Sequence, residues 1–219
     1  MIDRETGPSP TPAADCYSDG EREWMVKYQA IRLNLTRPIL VRLTALNVTA
    51  DIVTMLAGVV GLCFVPHWLM NHKILAITCL LVHILLDGLD GTLARYQNLA
   101  SSRGSFTDTA VDQFVMTCVT ITWLITEPSS ENIAAASAYI FLYTIVVSLA
   151  MVRNAMSVPF AFVVRPRFFV YLAMATDYWF ELNSTIYILV IANLLLGISA
   201  LTGCYVLRQN LPGPEINQS

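Results

Sequence analysis

Charge is what this chain has least of. Only 13% of its 219 residues are Asp, Glu, Lys or Arg, while 55% are hydrophobic and the mean hydropathy is +0.57. Soluble domains usually carry about 25% charged residues. A soluble core able to hide this much apolar surface is larger than the chain can enclose, so an all-α, polytopic integral membrane protein is expected. Cysteine spacing is also missing: Cys16, Cys63, Cys79, Cys118 and Cys204 form no C-x-x-C pair. That excludes a zinc finger and a disulfide framework. His67, His72 and His83 show no ligand spacing; His83 stands one turn before Asp87, where packing or hydrogen bonding is its plainer role. No internal repeat is evident. Residues 1–20 hold no apolar h-region and read as a disordered tail, not a signal peptide.

Long apolar runs are abundant. They lie at about 51–70, 74–95, 105–126, 133–152, 167–181 and 184–207, and most approach the roughly 20 residues that cross a bilayer. Six transmembrane helices are expected. The fifth run is the weak one, being short and carrying Asp177; five spans plus a re-entrant or interfacial segment is the alternative. Before them, Trp24, Tyr28, Ile31 and Leu35 recur at helical spacing among Arg and Lys, as in an amphipathic helix lying at the membrane interface. One membrane domain over 21–207 is expected, followed by a cytoplasmic tail at 208–219. Six spans leave Lys73, alone among the thirteen Lys and Arg residues, on one side of the membrane. Positive residues stay in the cytoplasm, so both termini and the 96–104 loop are expected there.

The second and third of these runs together hold four carboxylates. Asp87 and Asp90 are i, i+3 neighbours, and Asp108 and Asp112 are i, i+4 neighbours, so each pair shares one helix face. Ionised carboxylates in hydrocarbon are costly and mark functional sites. Residues 96–103 form a short turn between the two pairs, which lets all four converge near one surface. Hard divalent cations, one or two Mg²⁺ or Mn²⁺, are the natural compensation, with a phosphate-bearing substrate completing their coordination. Gly91, Ala94 and Gly104 leave room beside the carboxylates for a flat or bulky ligand, or serve close helix packing. Arg95 either grips phosphate or obeys the positive-inside rule. Arg153, Arg165 and Arg167 fall at the same membrane face; interfacial anchoring is their plain reading, contact with a lipid phosphate or an anionic acceptor the other.

The series Asp87-Gly88-x-x-Gly91-x-x-Ala94-Arg95, then Gly104, Asp108 and Asp112, with Asp90 inside, resembles the signature of the CDP-alcohol phosphotransferase family at every fixed position. The six-span plan resembles it more loosely. The resemblance implies metal-dependent transfer of a phosphoryl-alcohol, commonly phosphatidyl, group from a CDP-alcohol such as CDP-diacylglycerol to an acceptor alcohol, releasing CMP, in phospholipid biosynthesis. It implies Asp87, Asp90 and Asp108 as metal ligands, and Asp112 on or near the metals and also as general base. Gly91, Ala94 and Gly104 would admit the cytidine nucleotide and Arg95 would order it. Relatives often carry Pro-Asn-x-x-Thr at the start of the first span. Here Ala50-Asp51-Ile52-Val53-Thr54 keeps only Thr54 as a candidate nucleotide contact, and Asp51 is either a helix cap or a further contact. A homodimer in the cell (inner) membrane, bathed by membrane lipid and with no nucleic-acid partner, is implied as well. The acceptor, the preferred metal and the choice between a lipid and a soluble CDP donor stay open.

Two other functions use intramembrane aspartates. A cation or proton transporter would show repeats and broken helices at mid-membrane, whereas these carboxylates lie near one surface. An aspartate-rich prenyltransferase would need an acidic residue where Ala94 stands.

Overall fold

The computed structural model describes residues 19–156, 158 and 165–211, with side chains described from Ile31 onward apart from Ser102 and Asn154. The expected tails therefore lie mostly outside the described residues, as do Cys16 and the side chains of Trp24 and Tyr28. The described chain is helical throughout: α1 (Asp19–Ala45), α2 (Ala50–Leu62), α3 (Phe64–Leu69), α4 (Lys73–Tyr96), α5 (Ser102–Thr126), α6 (Ser130–Ala155), α7 (Arg167–Phe180) and α8 (Ser184–Asn210). By length and composition, five stretches can cross a membrane: α2 with α3, then α4, α5, α6 and α8. The chain is an integral membrane protein. The two span counts differ only in α7, whose 14 residues extend about 21 Å against a hydrocarbon core of roughly 30 Å.

Local chemistry sets the boundaries. Asn47, Asn71 and Asn98 adopt left-handed conformations with φ of 54°, 63° and 55°, which Asn tolerates better than other residues with a Cβ. Each stops a helix. After α4, Leu99 N–H returns to Ala94 C=O at 2.9 Å, and after α1, Val48 N–H returns to Leu43 C=O at 2.9 Å, the bonding that closes a helix end. The first span breaks at Cys63. Pro66 lies one turn beyond and has no N–H for the carbonyl of Leu62, so the helix cannot run through unbroken. Ser101 caps α5, its side chain accepting from Gly104 N–H at 3.1 Å.

α1 presents Ile31 and Leu35, 66% and 78% exposed, as a helix at a lipid surface would. Its far end docks through Leu40, buried against Val53 and Leu93. The first span is central. α2 packs against both α4 and α5, which scarcely meet each other directly, so the expected pairing of α4 with α5 is mediated by α2. Gly58 and Gly61 allow this: an added Cβ would lie 2.6 Å from Val111 and 2.8 Å from Val115 respectively, distances only a bare backbone permits. On the other flank α6 packs on α8, where Asn193 donates to the Ala135 carbonyl at 2.9 Å. Asp177, which weakened the fifth run as a span, has a structural use. Its carboxylate accepts from Ser184 N–H and, at 2.8 Å, from Thr185 N–H, so a side chain from α7 caps α8.

Candidate metal centre and nucleotide cavity

The aspartate pairs sit on the last turns of α4 and the first turns of α5, where the stop at Asn98 and the cap at Ser101 reverse the chain. One carboxylate oxygen each from Asp87, Asp108 and Asp112 lie within 4.8 Å of one another. Three oxygens that close, with Asp112 buried, form the all-oxygen donor set that hard divalent cations take. The set fits such an ion.

Asp90 is not among those three. It is buried, and Oδ2 accepts from the Thr54 hydroxyl at 2.6 Å while Oδ1 accepts from Gly91 N–H. Asp90 instead faces a cavity of about 310 Å³, whose walls come from the start of α2 (Thr49, Ala50, Asp51, Thr54), the end of α4 (Asp90, Gly91, Ala94, Arg95), the turn (Leu99, Ala100, Ser101) and the start of α5 (Gly104, Ser105, Asp108). Every residue expected to face a nucleotide, Thr54, Gly91, Ala94, Arg95 and Gly104, lines this one space. Asp108 belongs both to the cavity wall and to the carboxylate trio, so the two regions are continuous. Gly91 opens onto free volume: an added Cβ would meet nothing nearer than the Arg95 guanidinium at 3.8 Å. At Gly104 the nearest groups would be Ser101 Oγ at 3.4 Å and Asp51 Oδ1 at 3.7 Å.

The arginines part company. Arg165 is exposed, as an interfacial anchor would be, and Arg153 is buried. Arg167 departs most from the sequence reading. It is only 3% exposed, and its guanidinium bridges Asp87 Oδ2, at 2.8 Å, and Asp112 Oδ2. The reason is electrostatic, since a carboxylate pair with one member buried and the other half-buried draws in the cation whose planar fork can reach both. This residue was missed as part of the centre. The sequence placed it only at the membrane face of the aspartates, as an anchor or a contact for a lipid phosphate or an anionic acceptor.

His83 also joins the site. Its Nδ1 lies 3.0 Å from the Ala57 carbonyl, so that nitrogen carries the proton, and Nε2 lies 3.8 Å from Asp112 Oδ1. The ring thereby packs α4 against α2 and backs the carboxylate. From α1, Arg32 reaches over Gly88, where an added Cβ would stand 3.0 Å from its guanidinium. No sequence pattern marked that contact.

Comparison with known proteins bears on the family and the fold. The inner membrane protein YnjF of Escherichia coli is 29% identical over 88 residues, 40% of this chain and 42% of that protein. The chain thus spans about two fifths of that relative's length. Crystal structures of phosphatidylinositol phosphate synthase (PgsA1) from Mycobacterium tuberculosis share the fold. The apo form gives a TM-score of 0.64 at 15% identity, covering 78% of this chain and 95% of that one. The form with CDP-DAG bound gives 0.63 at 19%, covering 85% and 98%, and the form with manganese and citrate 0.62 at 18%, covering 84% and 93%. The profile of CDP-alcohol phosphatidyltransferases matches residues 47–209, a stretch that holds all four aspartates and Thr54. The chain belongs to the CDP-alcohol phosphatidyltransferase family.

Proposed function

We propose that this protein transfers a phosphatidyl group from a CDP-linked lipid, CDP-diacylglycerol or a close analogue, to the hydroxyl of a small alcohol and releases CMP. The observation that carries this is the continuity of the two regions at Asp108. The carboxylate trio suits Mg²⁺ or Mn²⁺, and the adjoining cavity is open at Gly91. Asp87, Asp108 and Asp112 would hold the cation, with Asp90 oriented toward the same cavity by Thr54. A bound divalent cation would supply the positive charge that a diphosphate leaving group needs.

The remaining chemistry belongs to the chain. No Ser, Cys or His stands at a fixed position of the motif, and the acceptor hydroxyl attacks the lipid-bearing phosphorus directly. The new bond joins the acceptor oxygen to phosphorus, and the bond from that phosphorus to the CMP oxygen breaks. The hydroxyl proton passes to the Asp112 carboxylate, which acts as general base. Ala94, Gly91 and Gly104 admit the nucleotide, and Arg95, exposed at the cavity mouth, balances its phosphate charge. Arg153 and Arg165 remain candidates for contact with the lipid phosphate or an anionic acceptor.

The concentration of Lys and Arg at the aspartate end of the helices, with Lys73 alone opposite, supports a cytoplasmic site and cytoplasmic termini. The description of YnjF as an inner membrane protein supports the same membrane here. A homodimer is proposed on family grounds.

The deciding assay is CMP release by purified protein from CDP-diacylglycerol, with labelled acceptors followed into lipid by chromatography. Activity is expected with Mg²⁺ or Mn²⁺ and one acceptor of the panel, lost in chelator and restored by metal. Folded, metal-supplied protein that releases no CMP with any acceptor would sink the proposal.

A further inference from the structure

We infer that Arg167 is an exchangeable counter-ion of the carboxylate centre, neutralising Asp87 and Asp112 while no divalent cation is bound and releasing them when one enters. The inference rests on the metal reading proposed above and goes beyond it by assigning a competitor built into the chain.

Three observations carry it. The guanidinium reaches both carboxylates in a setting where it is only 3% exposed. A cation held by those same carboxylates would stand a few ångströms from that guanidinium. Repulsion between them, barely screened in a buried site, opposes joint occupancy. Second, the arginine is incompletely satisfied, because its buried Nε has no hydrogen-bond partner among the described residues. Third, Arg167 is the first residue of α7, and a positive side chain at a helix N-terminus opposes the helix dipole. The two carboxylates therefore hold the guanidinium against two local penalties, and a stronger cation would displace it readily.

The exchange has a chemical consequence. While Arg167 grips Asp112 Oδ2, that oxygen is closed to the acceptor hydroxyl; once the guanidinium leaves, one Asp112 oxygen can hold the cation and the other can accept the hydroxyl proton. Metal loading and activation of the base then become one event.

The test uses purified full-length protein in detergent. Mn²⁺ affinity is read from the free-ion electron paramagnetic resonance signal, and melting temperature is recorded in chelator and at saturating Mn²⁺. Arg167→Gln is expected to bind Mn²⁺ about tenfold more tightly, within the usual range for coupled sites. It is also expected to melt below wild type in chelator, with most of that deficit erased by Mn²⁺, because binding to the folded state stabilises it by mass action. Arg167→Lys, one point charge in place of a fork, should fall between the two, and it takes the place of Arg167→Gln if that variant does not fold without metal. Unchanged or weaker Mn²⁺ affinity in the variants overturns the exchange while the metal reading stands. A deficit that persists at saturating Mn²⁺ also overturns it, since the ion pairs would then survive metal binding. Wild type that binds no Mn²⁺ overturns both.

Discussion

The Thr54 hydroxyl donates to Asp90 Oδ2 at 2.6 Å, joining the first span to the aspartate-bearing end of α4. Thr54 comes from a sequence run that keeps one position of a familiar motif, and Asp90 from the middle of a complete one. Their contact gives the threonine a structural use. It orients a carboxylate that is only 4% exposed.

Replacing this hydroxyl by a methyl group tests the contact without changing side-chain shape. Thr54→Val leaves Asp90 without its donor from α2, and a hydrogen bond to a charged group contributes about 1.5–3 kcal/mol. CMP binding measured by calorimetry should weaken roughly tenfold, with a lower melting temperature, while Thr54→Ser keeps both near wild type. Equal CMP affinity in Thr54→Val would make the contact incidental.

Asp112→Asn separates nucleotide binding from the work of the carboxylate centre. The amide keeps the shape of the carboxylate and cannot act as a base, so turnover should fall by about 10²–10⁴-fold. Calorimetric CMP affinity should stay near wild type, because Asp112 does not line the cavity. Near-normal rates in this variant would remove Asp112 from its assigned role.

Packing around α2 is tested by Gly58→Ala. The added Cβ would lie 2.6 Å from Val111, and overpacking of this kind costs about 1–3 kcal/mol. Thermal melting should show the loss, and adding Val111→Ala to the same chain should recover most of it. If the single variant melts like wild type, α2 and α5 are not in tight contact.

Orientation is open to cysteine labelling in intact cells. A cysteine placed at 127–132 should react with an impermeant reagent from outside, and one placed at 96–104 should react only after permeabilisation. The reverse pattern would refute the cytoplasmic site.

Membrane class, helix content and the pairing of aspartates are all written in local sequence. Apolar runs of bilayer length announce spans whatever their neighbours, and helical periodicity alone puts Asp87 with Asp90 and Asp108 with Asp112. The small residues at 91, 94 and 104 were legible for the same reason, since their spacing places them beside those carboxylates. Even the doubt over the fifth run was readable, in its length and in Asp177.

Tertiary structure alone decided what fills the space between those helices. Arg167 lies 80 positions from Asp87 in sequence, and no periodicity connects them; burial of charge brought them together. The seating of α2 between α4 and α5 was equally hidden. Gly58 and Gly61 record it only once Val111 and Val115 are known to lie opposite. Spacing along one helix is set by its own backbone, whereas the choice of neighbour depends on how whole surfaces of similar composition fit together.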